Sequence, residues 1–145
     1  MNNIFDLKVL KNAELLLRLT MIVTTLTAGI SKFFSHGGFR DYYMTQFAKD
    51  NLRIQLPEIL PNIGLSIIPY VEVGLGFLLL IPKTRRFFSV VFVLYFLVLT
   101  IGHYILEEFL EVDVVLPLTM IGIAAYMLPA YSSYREIFAK SKTAV

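Results

Sequence analysis

The chain has 145 residues, of which 57% are hydrophobic and 17% are charged, and its mean hydropathy of +0.69 is too high for a soluble domain of this size. It contains no cysteine, which excludes disulfide exchange, thiolate nucleophiles and thiolate metal sites for this chain acting alone. The net charge is only +2, and no basic patch with interleaved aromatic residues lies outside the flanks of the apolar segments. We therefore expect no nucleic-acid partner and a chain surrounded by a lipid bilayer.

The apolar residues fall into four blocks of about 17 to 20 residues, which is the length that a helix needs to cross a hydrocarbon core of about 30 Å. We predict membrane-spanning helices at residues 15–34, 63–81, 87–106 and 112–128. A chain of this length has room for a single domain, residues 1–145. The expected fold is an all-α integral membrane protein built as a bundle of four transmembrane helices.

The long connection between the first two predicted helices is rich in aromatic residues. It spans residues 35–62 and carries Phe39, Tyr42, Tyr43 and Phe47 among polar residues. This spacing is typical of a short helix that lies at the membrane interface with its rings at headgroup level. A lid over one end of the bundle is the alternative.

Basic residues are divided unequally between the two ends of the predicted bundle. One end has nine of the 13: Lys8, Lys11, Arg18, Lys83, Arg85, Arg86, Arg135, Lys140 and Lys142. The other end has four: Lys32, Arg40, Lys49 and Arg53. Because an excess of lysine and arginine marks the cytoplasmic side, we predict a multi-pass protein of the inner membrane with both termini in the cytoplasm.

Two basic residues lie within the first predicted helix. Arg18 and Lys32 are about 21 Å apart along the axis and differ by only about 40° in direction, so they bracket one stripe of the helix. Thr25 and Gly29 belong to the same stripe. In one interpretation both basic side chains extend to opposite headgroup layers. In the other, one or both pair with Glu72 or with an anionic ligand inside the bundle.

The second predicted helix carries one carboxylate. Glu72 lies about nine residues into this helix, and its side chain is too short to reach the headgroups. A charge near the middle of a membrane helix costs about 2.5 to 3.5 kcal/mol on insertion scales, so it requires a partner or a purpose. Gly76, one turn later, allows another helix or a ligand to approach closely. Glu72 is therefore either part of a ligand site or a structural bond between helices.

His103 lies about one turn from the end of the third predicted helix. Glu107 and Glu111 follow it at i+4 and i+8 on roughly one stripe, so a hydrogen bond between the imidazole and a carboxylate is geometrically available. We consider three interpretations of His103: a quinone contact or proton relay, an ordinary interfacial histidine, and a metal site shared with Asp113. Metal sites in helical bundles usually show paired ExxH motifs, which this chain lacks, so we predict no metal site. Without a glycine-rich phosphate loop, no nucleotide site is predicted either.

Several short motifs follow one another along the chain in an order that is typical of a known family. Arg18 opens the first helix, AGISKF closes it at 28–33, PYVEVGLG lies at 69–76 in the second, and the turn at 82–86 reads PKTRR. From about residue 15 to residue 128 this pattern resembles the DoxX family of small four-helix membrane proteins, which includes DoxD-type subunits and MauE-type maturation proteins. The resemblance singles out six positions: Arg18, Gly29, Lys32, Glu72, Gly76 and Arg86.

The resemblance also carries functional implications. DoxD-type relatives are linked with quinone-coupled thiosulfate oxidation, other members with redox or oxidative-stress assemblies, and MauE-type members with maturation of a disulfide-bearing enzyme. The last role does not suit a chain without cysteine, and the first requires a partner subunit. The resemblance thus implies an accessory or subunit of a membrane redox system, with a quinone or another amphiphile as ligand and a redox protein or a second copy of the chain as partner.

These implications assign roles to particular residues. Candidate ligand-binding residues are Lys32, Glu72, Gly76 and His103. Candidate ion-pair or packing residues are Arg18, Gly29 and Arg86. No catalytic residue is assigned. The alternative function is a structural or chaperone-like assembly factor that has no ligand or catalysis of its own.

Overall fold

The computed structural model describes residues 2–35 and 38–139, and the secondary structure within them is helical. The helices are α1 (Asn2–Phe34), α2 (Phe39–Phe47), α3 (Ile59–Leu79), α4 (Arg85–Ile105), α5 (Phe109–Met127) and α6 (Tyr134–Ala139). Four of these, α1 from Leu7 onward, α3, α4 and α5, are long and apolar enough to cross a membrane. The predicted bundle is confirmed for the described residues. Lys140 and Lys142, which were counted for the orientation, lie outside them.

The first helix is much longer than its predicted membrane span. α1 begins at Asn2, whereas the apolar run begins at residue 15. The preceding stretch contains no glycine or proline, and the i,i+4 spacing of Glu14 and Arg18 supports helix through it. Glu14, which precedes the apolar run, therefore lies within α1 and is buried in the bundle.

Apolar side chains are divided between a small core and the outer surface. The buried core consists of Met21, Ile22, Leu75, Leu79, Phe92, Phe96, Val115 and Ala125. Large apolar side chains such as Leu16, Val23, Phe77 and Leu94 are exposed. In a bilayer these outward side chains contact lipid, which is as apolar as the core. Close packing and internal polar contacts therefore hold the helices together.

Two glycines let α1 and α3 approach each other closely. A Cβ added to Gly29 would lie 2.9 Å from the Cβ of Glu72, and one added to Gly76 would lie 2.6 Å from the Cγ of Leu26. Both distances are shorter than carbon atoms tolerate, so a side chain at either position would push the two helices apart.

α1 ends before the other spanning helices do. Near its end, the ring of Phe33 packs against Tyr70 with 5.2 Å between centroids. α3 begins at Ile59, eleven residues from Tyr70, and so extends about 16 Å farther. α2, the short helix predicted within the long connection, packs against this extension. Arg40 of α2 donates to the Asn62 Oδ1 of α3 from Nε at 3.0 Å and from Nη2 at 2.6 Å.

Candidate functional site

A buried carboxylate joins three helices. Glu72 of α3 is 1% exposed, and the ammonium of Lys32 in α1 donates to both of its oxygens, at 2.7 Å to Oε1 and 2.6 Å to Oε2. The hydroxyl of Tyr95 in α4 donates to Oε1 at 2.8 Å. We call Lys32, Glu72 and Tyr95 the central cluster. Each oxygen of the carboxylate has at least one donor, which is how an ionised group is stabilised away from water.

Lys32 turns into the bundle rather than toward the headgroups. The interpretation in which its side chain extends to the membrane surface is therefore wrong, and the predicted pairing with Glu72 is confirmed. Gly29 lies one turn earlier on the same face of α1, and its missing side chain allows the close approach to Glu72. The packing role predicted for Gly29 thus supports the ion pair directly.

A cavity of about 390 Å³ adjoins the central cluster. Its polar lining comes from Thr24, Lys32, Tyr43, Glu72, His103 and Glu111. Most of the remaining wall is apolar and includes Ala28, Leu65, Ile68, Phe96, Leu99 and Val115. Small-molecule sites commonly have about 300 to 1,000 Å³ of volume and a few polar groups in mostly apolar walls. The cavity has both properties.

α2 covers the cavity where α1 ends. The ring centroid of Phe39 lies 5.2 Å from Nζ of Lys32, within the range of a cation–π contact. Tyr43 packs edge-on against the ring of His103, with 6.1 Å between centroids. Phe39, Tyr43 and Phe47 all line the cavity, which favours the lid over the interfacial helix as the description of this element.

The Tyr43 hydroxyl keeps its proton over the whole neutral range. The pKa of Tyr43 is raised to about 12, mainly by burial and in part by the nearby carboxylates of Glu108 and Glu111, which disfavour a further negative charge. Tyr43 therefore remains a neutral donor on the cavity wall at physiological pH.

His103 makes the imidazole–carboxylate bond that the sequence indicates, but with a different carboxylate. Nδ1 of His103 lies 2.8 Å from Oε2 of Glu108, which is neither of the two residues on the predicted stripe, Glu107 and Glu111. α4 ends at Ile105, and Glu107 has the left-handed backbone angle φ of 59°, which breaks the i+4 relation. Glu107 instead lies 3.4 Å from the exposed guanidinium of Arg53.

A second polar cluster lies at the opposite end of the bundle. Glu14 and Arg18 of α1 are 1% and 2% exposed, and Arg85 at the start of α4 is mostly covered. Oε1 of Glu14 is 3.5 Å from Nε of Arg18 and 3.5 Å from Nη1 of Arg85. We call these three residues the basal cluster. The interpretation in which Arg18 extends to the surface is thereby corrected, and its place among the candidate ion-pair residues is confirmed, with Glu14 rather than Glu72 as the carboxylate partner.

Two further candidates lie away from the cavity. Arg86 is exposed, and its neighbour Arg85 is the arginine that turns inward. Gly76 faces Thr25 and Leu26 of α1 and does not line the cavity, so of its two predicted roles the structure supports the close approach of another helix rather than of a ligand.

Sequence reasoning missed Glu14, Arg85, Tyr95 and Glu108. The i,i+4 spacing of Glu14 and Arg18 was a usable signal, since oppositely charged residues at this spacing pair on one helix face. Tyr95 gave no signal, because a tyrosine in an apolar helix is equally consistent with a lipid-facing position.

Hydrogen bonding and proton exchange are the chemistry that this site offers. Lys32 and Tyr43 are donors, while Glu72 and the imidazole of His103 supply acceptors. Among residues 2–35 and 38–139, no group of three or more histidine, aspartate or glutamate side chains is placed to hold a metal ion.

Comparison with known proteins identifies the family. No curated protein and no solved structure matches the chain. The model of the family described as methylamine utilisation protein MauE matches residues 10–113, a range that contains both clusters and the lid helix α2. Within the predicted DoxX-like resemblance, the MauE-type group is thus the part that is found. The chain belongs to the MauE family and is a multi-pass membrane protein.

Proposed function

We propose that this protein is an accessory subunit of a membrane redox system and that its bundle binds a quinone or a closely related amphiphile. The observation that carries this proposal is the apolar cavity with the central cluster at its wall. A ligand with polar ring substituents and an apolar body matches such a site, because the substituents find hydrogen-bond partners while the body contacts the apolar walls.

Different residues around the cavity are suited to bind different polar groups of such a ligand. A quinone carbonyl accepts a hydrogen bond, and Lys32 is a charged donor in the cavity lining. A quinol hydroxyl donates a hydrogen bond, and Glu72 is the acceptor for it. His103 lies near the lid, and because its Nδ1 is bonded to Glu108, its Nε2 can form a hydrogen bond with a ligand. The fit therefore requires only groups that already line the cavity.

Family membership supports the accessory role. The printed name of the family refers to methylamine utilisation, and we extend that association to this chain only as part of the proposal. The redox chemistry would then belong to a partner protein in the same membrane. The distribution of basic residues supports an inner-membrane location with both termini in the cytoplasm.

Native mass spectrometry with lipid extraction tests the proposal. The full chain is purified in mild detergent, and we expect a quinone or a similar amphiphile to co-purify. Glu72→Gln, which keeps the size of the side chain and removes its charge, should lower the bound fraction by about tenfold, as expected for loss of a charge-assisted hydrogen bond. Glu107→Gln, an exposed carboxylate outside the cavity, is the matched control and should retain the ligand.

A second candidate is a membrane assembly factor that binds no small molecule. The observation in its favour is that Lys32 and Tyr95 already occupy both oxygens of Glu72, so the central cluster is stable without a ligand. Wild-type protein that carries no amphiphile but retains a stoichiometric protein partner would support this candidate and contradict the quinone site.

A further inference from the structure

The cavity reaches the lipid-facing surface between α3 and α4. Gly64 of α3 and Gly102 of α4 both line it, and a Cβ added to either would meet no described heavy atom within 4 Å. Val98 of α4 also lines the cavity although its side chain is 65% exposed. A cavity whose wall includes exposed residues is open at that wall.

The two glycines lie at one level of the bundle. The hydrogen bond from Tyr95 to Glu72 places these two residues at about the same position along the bundle axis. Toward the lid, Gly64 is about 12 Å from Glu72 along α3, and Gly102 is about 10.5 Å from Tyr95 along α4. Gly64 and Gly102 therefore flank the same opening.

This opening differs from the glycine contacts elsewhere in the bundle. The space beside Gly76 is filled by Leu26 of the neighbouring helix, whereas the space beside Gly64 and Gly102 is empty. The contact between α3 and α4 is also much less extensive than the contacts between α1 and α3 or α4 and α5. An empty gap between helices forgoes dispersion contacts, so in a bilayer an apolar chain gains stability by occupying it.

The side of the cavity that faces α2 is covered. Phe39 lies over Lys32 and Tyr43 lies against His103, and both rings belong to α2. The two hydrogen bonds from Arg40 to Asn62 hold this helix against α3. An apolar chain attached to a ligand in the cavity therefore has its exit between α3 and α4, toward lipid.

We infer that the ligand is an amphiphile with a long apolar chain, which enters from the bilayer between α3 and α4. Its polar head lies in the cavity, and its chain passes Gly64 and Gly102 into the lipid. This inference rests on the proposed function, because it requires that the cavity holds a ligand. It excludes small water-soluble molecules as the main ligand class.

The test compares two probes on the full chain in lipid nanodiscs. One is a benzoquinone that carries a decyl chain, and the other is the same benzoquinone with a methyl group in its place. Affinities are expressed per mole fraction of probe in the bilayer, so that partitioning cancels. Gly102→Leu and Gly64→Leu place a side chain in the opening, and Gly74→Leu is the matched control, because Gly74 is equally free of neighbours but does not line the cavity.

We expect the decyl probe to bind wild-type protein and Gly74→Leu equally, and to bind Gly102→Leu or Gly64→Leu about tenfold more weakly, the equivalent of about two methylene groups of lost contact. The methyl probe should change by less than about twofold, within the error of binding measurements. Equal affinity of the decyl probe for Gly102→Leu and Gly74→Leu would overturn the lateral opening and leave the proposed function intact. Equal loss of both probes would place the glycines at the head group and would also overturn it. If neither probe binds wild-type protein, the proposed function itself fails.

Discussion

The central and basal clusters are both built on α1, yet their surroundings differ. Glu14 and Lys32 are 18 positions apart, or about 27 Å along the helix. The basal cluster has two arginines around one carboxylate and is almost completely enclosed, since Glu14 and Arg18 are 1% and 2% exposed. The central cluster pairs one lysine with one carboxylate, and Lys32, 19% exposed, borders a cavity.

This difference shows that buried charge in a membrane bundle serves more than one purpose. A fully enclosed cluster fixes how helices meet, because separating its members would leave charges in an apolar medium. A cluster on a cavity wall does this too, but its groups are also within reach of a ligand. Substitutions in the basal cluster should therefore lower stability, whereas substitutions in the central cluster should also lower ligand binding.

The largest effect on stability is expected from Glu14→Gln. This change leaves Arg18 and Arg85 near each other in an apolar environment without the carboxylate between them. Removing one partner of a buried ion pair typically costs about 3 to 5 kcal/mol. The loss is measured as the free energy of unfolding in mixed micelles, by titration with a denaturing detergent and detection of helix content by circular dichroism.

Glu72→Gln serves as the comparison in the same titration. Its loss should be smaller, because the ammonium of Lys32 can turn toward the cavity when the carboxylate is absent. Glu107→Gln, at an exposed position, should change the free energy by less than about 0.5 kcal/mol. Equal losses for Glu14→Gln and Glu72→Gln would contradict the division between an enclosed and an accessible cluster.

A moderate effect is expected from Gly29→Ala. The added Cβ would lie 2.8 Å from Cγ2 of Val73 and 2.9 Å from Cβ of Glu72, so α1 and α3 must separate. Overpacking of this kind costs about 1 to 3 kcal/mol, and the separation also lengthens the bond from Lys32 to Glu72. The same unfolding titration measures the loss of stability.

Gly74→Ala is the control for the glycine substitution. It adds the same methyl group in a helix, but no described heavy atom lies within 4 Å of the new Cβ. It should leave stability unchanged or raise it by up to about 1 kcal/mol through helix propensity. Should Gly29→Ala behave like Gly74→Ala, the close approach of α1 and α3 does not hold the central cluster together.

The two clusters also differ in how far the sequence predicts them. Isolated charges in apolar helices require partners, so the sequence indicates the pairing of Lys32 with Glu72 as one of two alternatives, and the structure contains it. The four spans and the short helix α2 were predicted because hydropathy and aromatic content are local signals. Local signals therefore suffice for the bundle and for half of the central cluster.

The remaining contacts depend on information that is not local. Glu14 was assigned to a polar stretch before the first span, and no feature of the basic turn distinguishes the inward Arg85 from Arg86. Tyr95 reaches Glu72 only because of how α4 is rotated, which packing against α5 determines. The partner of His103 depends on where α4 ends. Helix ends and rotations are set by tertiary packing.

The smallest effect concerns a partly exposed ion pair near the basal cluster, between Lys11 and Glu136. Nζ of Lys11 lies 2.7 Å from Oε1 of Glu136, which also accepts hydrogen bonds at Oε2 from the backbone N–H and the hydroxyl of Ser132. The bond from Lys11 is the main cause that lowers the pKa of Glu136 to about 2, and the bonds from Ser132 add to it. Lys11→Ala should therefore raise this pKa part of the way toward its ordinary value of 4.5.

Carbon-13 NMR titration of the glutamate carboxyls in micelles measures this shift, with Lys8→Ala as the control. Because the folded state has the lower pKa, the contribution of Glu136 to stability is present above pH 4.5 and is lost as the pH falls through about 2. An ion pair that solvent reaches contributes little to stability, so Lys11→Ala should change unfolding at neutral pH far less than Glu14→Gln does. An equal or larger loss from Lys11→Ala would mean that burial does not decide which ion pairs hold this end of the bundle together.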